Sequence, residues 1–103
     1  MRIPVIGRVP ATAVHHDIER ARSVVLQCSH TLFRDARDAD AWHALGVALV
    51  SLGDRVAAFI ALRNAALLDG RRANTQLALG NLLFDSGRVD DAVRCFECVE
   101  SEG

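Results

Sequence analysis

The sequence contains no lysine and no tyrosine, and only two prolines, Pro4 and Pro10. All 12 basic residues are therefore arginines, against 13 acidic residues, for a net charge of −1. This near balance leaves no excess of one sign. Without it there is no electrostatic footprint for nucleic acid and no polybasic patch for an anionic membrane. No apolar run approaches the roughly 18 residues that a membrane span needs. Sustained alternation of apolar and polar residues is missing, as is any Asn-Gly turn, so strand signals are absent. The opening stretch "MRIPVIGRVPATAV" is interrupted by Pro4, Arg8 and Pro10. It has no clean apolar core before a cleavage site, so the chain is expected to be soluble and cytoplasmic. Cysteines are few and odd in number (Cys28, Cys95 and Cys98), which agrees with a reducing compartment.

Half of the residues are apolar, and 103 residues make one small domain. Beyond Pro10 the chain reads as helix with short breaks. Its organisation emerges when "AWHALGVALVSLGDRVAAFIAL" is laid over "NTQLALGNLLFDSGRVDDAVRCF". Leu45 falls on Leu79, Gly46 on Gly80, Leu49 on Leu83, Gly53 on Gly87, Ala58 on Ala92 and Leu62 on Phe96, every pair 34 residues apart. Gly46 and Gly80 lie inside helices, where glycine costs roughly 1 kcal/mol against alanine. Their common offset argues for a shared purpose, namely a close crossing of two helices. Ala58 and Ala92 are expected to receive these glycines from the other side. Gly53 and Gly87 should turn the chain between helices, with Asp54 capping the helix that follows.

These residues resemble tetratricopeptide repeats. The family's succession of Trp, Leu-Gly, a large residue, then Ala and Phe is matched by Trp42, Leu45, Gly46, Leu49, Ala58, Leu62 and Ala65, and again by Leu79, Gly80, Leu83, Ala92 and Phe96. The departures are Gln76 in place of Trp, Leu62 in place of Phe, and Gly70 where Pro usually stands; Gly70 is expected to end a helix in the left-handed conformation. The resemblance covers residues 39–103. It implies an all-α fold, a fragment of right-handed solenoid with two helical hairpins. Repeat 1 spans 39–72 with helices at 39–52 and 55–69, and repeat 2 spans 73–103 with helices at 73–86 and 89–101. Upstream, Val14, Ile18, Ala21, Val25, Cys28 and Leu32 form one stripe of a long helix over 12–34, preceded by an extended segment 1–11. Residues 12–103 then form one domain.

No enzyme is legible. Cys95-Phe-Glu-Cys98 is a CxxC, but it falls late in a helix. A redox pair wants a helix N-terminus, where the dipole lowers a thiol pKa. His15, His16, His30 and His43 have no ligand spacing, and no second cysteine pair completes a zinc site. Asp35, Asp38 and Asp40 read as a capped junction, because the glycine and closing glutamate of a calcium loop are missing. No phosphate cradle appears either. No metal or other cofactor is expected.

The family resemblance implies a concave groove lined by the first helix of each repeat. Here that gives His43, Val47 and Val50, then Leu77, Asn81 and Phe84. One branch of the family grips a C-terminal carboxylate with lysine, asparagine and arginine. This chain has no lysine, and Val47 replaces the first asparagine, so an apolar groove is expected instead, with Asn81 set to bond a peptide backbone. The competing reading is that these side chains pack against the long N-terminal helix or one another. Function then reads as a protein-binding module, adaptor or chaperone-like, similar to the small tetratricopeptide chaperones of bacterial type III secretion. The alternative is a self-associating scaffold. An array of two repeats is short for a buried core, so a homodimer is expected. Val93, Cys95 and Cys98 are the candidate self-association residues on the last helix. The partner is another protein, a second copy, or both.

Overall fold

A computed structural model describes residues 11–102, with side chains from 17 to 99. The segment 1–10 lies outside the described residues, as do the side chains of Val14, His15 and His16. Five helices follow one another: α1 (Ala11–Arg34), α2 (Ala39–Ser51), α3 (Arg55–Leu68), α4 (Ala73–Asp85) and α5 (Val89–Glu102). Each bound lies within a residue of the span expected from the sequence, and no strand occurs among the described residues. Packing is sequential: α1 on α2, α2 on α3, α3 on α4, α4 on α5. Such nearest-neighbour contact defines a solenoid rather than a bundle, and the molecule is correspondingly elongated, 52 × 34 × 23 Å. No described helix is long and apolar enough to cross a membrane.

The core runs through both hairpins. Ala58, Leu62, Leu79, Leu82, Leu83 and Ala92 are buried in one cluster, with Phe59, Cys95 and Phe96 packed against it. On α1 the predicted stripe faces inward: Ala21 and Cys28 are buried, while Ile18, Val25 and Leu32 are half-buried.

Both hairpins turn by the same device. Gly53 has φ +82° and Gly87 φ +84°, the left-handed region that favours glycine. The Gly53 N–H donates to the Val50 carbonyl at 3.0 Å and the Asp54 N–H to Leu49 at 3.0 Å. The Gly87 N–H donates to Phe84 at 3.0 Å and the Arg88 N–H to Leu83 at 2.8 Å. These are two Schellman caps, 34 residues apart. Asp38 and Asp54 cap α2 and α3, accepting from the Ala41 N–H at 3.0 Å and the Ala57 N–H at 3.1 Å.

Two expectations are corrected. Gly70 is not in the left-handed region, since Gly53 and Gly87 are the only described glycines with positive φ. Helix α3 ends instead at Leu68, with Asp69 leaving helical geometry at φ −145° and ψ 84°. The residues nearest the interior glycines are also not Ala58 and Ala92. A Cβ built on Gly46 would stand 2.5 Å from Leu62 Cγ, and one on Gly80 2.6 Å from Phe96 Cε1. The large side chain four residues after each alanine fills the space that the glycine vacates. The alanines are fully buried nearby, at 0% exposure.

Gln76, a departure from the repeat pattern, keeps the function of the tryptophan it replaces. Trp42 Nε1–H donates to the Ala36 carbonyl at 2.8 Å, and Gln76 Nε2–H donates to the Gly70 carbonyl at 3.3 Å. Each reaches six residues back and ties the incoming loop to its helix.

Candidate functional site

The six groove candidates form three pairs at the repeat offset: His43 with Leu77, Val47 with Asn81, and Val50 with Phe84. They do not share one environment. Val47 and Val50 are each 44% exposed, Leu77 43% and Phe84 57%, so these four large apolar side chains remain open to solvent. Asn81 is exposed as well. His43 and Val47 line a cavity of about 710 Å³ between α1 and α2, whose other wall is Asp17, Ile18, Arg20, Ala21 and Val24. Val50, Leu77, Asn81 and Phe84 do not line it. The reading in which the groove side chains meet the N-terminal helix therefore describes His43 and Val47 but not the other four.

Sequence reasoning missed the α1 wall. Ile18 and Ala21 were legible as one apolar stripe, but Val24, one step off it, was not assigned. The cavity floor is apolar, and its charges, Asp17 and Arg20, both come from α1. It falls in the size range of sites that take small molecules or peptide side chains, roughly 300–1,000 Å³.

His43 also links the repeats. Its Nδ1 lies 2.9 Å from Thr75 Oγ1, across α2 and α4. Thr75 has 0% exposure, and this bond satisfies its hydroxyl. Burial pushes the His43 pKa below the usual 6.5, and the nearby Arg72 guanidinium pushes the same way against the opposing pull of Asp40. Arg72 and Asp40 form an ion pair between α2 and the start of α4. Thr75 stands where repeat 1 has Ala41, itself buried. The available signal was a hydroxyl at a position whose repeat mate is a buried alanine.

The last helix is more closed than its sequence suggests. Val93 is 44% exposed and Cys98 is exposed, but Cys95 packs against the core cluster, so it is not left over for a partner to cover. Burial raises the Cys95 pKa, and Cys98 and Asp91 beside it raise it further. All three cysteines are free thiols.

No family model matches the sequence, and no curated protein matches it. Solved structures do. The crystal structure of MamA, a tetratricopeptide-repeat protein, superposes with a TM-score of 0.77 at 25% identity. The match covers 85% of this chain and 52% of that one, so the chain spans about half the length of the structure it resembles. The fold is thus a tetratricopeptide-type helical solenoid, a class that points to protein–protein interaction.

Proposed function

We propose that the protein holds an extended apolar segment of a partner protein, as an adaptor or chaperone-like module, in a groove that begins at the α1–α2 cavity and continues over α4. The observation that carries this reading is the coincidence of an apolar cavity at His43 and Val47 with three further solvent-open apolar side chains, Val50, Leu77 and Phe84. Holding such side chains in water is unfavourable by about 25 cal/mol per Å², which a partner's apolar surface relieves. Asn81 supplies a donor and an acceptor for the partner's backbone. The lining carries one acid and one base, Asp17 and Arg20, and so no excess of one sign, which favours a chaperone-like role of the type III secretion kind over capture of a charged tail. Such a role suits a reducing cytoplasm, where the three cysteines stay reduced. A partner co-purified from the native cell should be lost on Phe84→Ala and on Val50→Asp, with helical content unchanged. Normal capture by both variants would show that the groove is not the site.

A further inference from the structure

The largest unexplained apolar exposure on the repeats lies on the outside of α3, away from the groove residues. Val56 is 75% exposed, Ile60 51% and Leu67 72%. With the exposed Arg63 between the last two, these residues step by four, three and four along the helix. That spacing puts all four on one face and matches the seam of paired helices. Nothing among the described residues covers it.

A cleft opens beside this stripe. Val56, Phe59 and Ile60 of α3 and Leu82 and Leu83 of α4 form it, with Arg55 and Arg88 at its edge. It encloses about 210 Å³. That is below the range of small-molecule sites, roughly 300–1,000 Å³, and suits one aliphatic side chain.

The stripe is its own complement when reversed. We propose that two copies of the chain pair through α3, antiparallel, about a two-fold axis near Ala61 and Leu62. This pairing is independent of the groove reading. Val56 then lies opposite Leu67 of the second copy, and Ile60 opposite Arg63, whose aliphatic stem covers it while the charged head stays in water. Leu67 of each copy enters the other's cleft. Asp69, two residues further, falls opposite Asp54, whose carboxylate is already engaged by the Ala57 N–H at 3.1 Å, and beside Arg55 at the edge of that cleft, whose guanidinium fork is the partner for its carboxylate. Every contact occurs twice, as an isologous interface requires. Opposite charges meet at both ends of the seam, and an apolar pair lies inside each end. The occupant is therefore a second copy rather than an unrelated helix. Among the described side chains of α5, the exposed large apolar residues are Val89 and Val93, both at its start, so a reversed copy laid along the whole helix sets no large apolar residue opposite them.

Sedimentation at micromolar concentration tests this. The wild-type chain should run as a dimer. Leu67→Arg sets a cation against Arg55 and Arg88 of the other copy, and Ile60→Arg sets one against Arg63. Each should raise the dimer dissociation constant about 100-fold, as unpaired buried charge does, while leaving the helical circular dichroism unchanged. Arg55→Glu and Asp69→Arg should each weaken the dimer about tenfold through like-charge contacts. Combined as R55E/D69R they should restore it, which neither misfolding nor a remote effect would do. A wild-type monomer overturns the proposal. So does a dimer that survives both Leu67→Arg and Ile60→Arg, one that the charge exchange fails to rescue, or one broken by Val93→Arg but not by Leu67→Arg.

Discussion

The two repeats use the same backbone devices and different surfaces. In α2–α3 and in α4–α5 a glycine faces a large side chain of its partner helix, a left-handed glycine closes the hairpin, and a side-chain N–H ties back to a carbonyl six residues earlier. Outside these points the repeats diverge. Asp38 caps α2, whereas its counterpart Arg72 makes no side-chain cap on α4. Arg72 instead bonds Asn74 Oδ1 at 3.2 Å and pairs with Asp40 of the preceding repeat. The outer face of α3 is apolar, whereas α5 opens with Asp90 and Asp91, which suit the positive end of its dipole. The lesson is that repetition persists where space or backbone geometry admits one solution. It lapses where a residue must serve the junction between repeats or the surface.

The sharpest way to break the equivalence is at the interior glycines. Gly46→Leu and Gly80→Leu should each destabilise by about 1–3 kcal/mol or more, because the added side chain must displace packed atoms. The two sites should also differ. At Gly46 the nearest atoms belong to Leu62, including its backbone nitrogen at 3.3 Å, and Leu62 is fully buried. At Gly80 all three nearest atoms belong to the Phe96 ring, which is only half-buried and freer to swing aside. Gly46→Ala should therefore cost more than Gly80→Ala in urea denaturation. In the latter the gain in helix propensity, roughly 1 kcal/mol, offsets part of the clash. Equal losses would mean that the ring is held as firmly as the leucine.

These glycines also mark how far the sequence could be read. Five helices and their ends were legible because the 34-residue offset repeats both the apolar pattern and the cap residues. The occupant of the space above Gly46 was not. Small residues at Ala58 and Ala92 suggest close approach, but the direction of a side chain from a facing helix is a tertiary quantity. Leu62 and Phe96 lean over the glycines. Gly70 misled for a related reason: α3 had already ended at Leu68, so no left-handed residue was needed there. The positions of Val47, Val50, Leu77 and Phe84, which are solvent-open in the structure, were readable from the register of the repeat resemblance. The α1 wall was not, because α1 has no repeat mate to be aligned with.

The hairpin glycines offer a test on which the two repeats should agree. Neither Gly53 nor Gly87 has any atom within 4 Å of where a Cβ would stand. An alanine there meets no clash and pays only for the left-handed backbone, about 1–2 kcal/mol. Gly53→Ala and Gly87→Ala should lower the denaturation midpoint by the same amount within error. A markedly larger loss at one turn would show that its loop carries contacts beyond the cap itself.

The smallest expected effect lies at the link between the repeats. Because the folded pKa of His43 is depressed below 6.5, the unfolded chain binds the proton more readily than the folded one. The stability that the neutral imidazole supports is thus complete above the unfolded pKa and is lost as the pH falls through it towards the folded value. The denaturation midpoint should decline as the pH falls through the unfolded value of 6.5 and below it, and His43→Gln should flatten that decline. The cause can be separated in the same experiment. Arg72 contributes to the depression and Asp40 opposes it, so Arg72→Gln should shrink the slope and Asp40→Asn should steepen it. Thr75→Val would leave the half-buried imidazole without its partner 2.9 Å away and lower stability across the whole range by about 0.5–1.5 kcal/mol, the net worth of a typical hydrogen bond. A slope unchanged in His43→Gln would assign the pH dependence to other groups and leave His43 as a purely mechanical tie between α2 and α4.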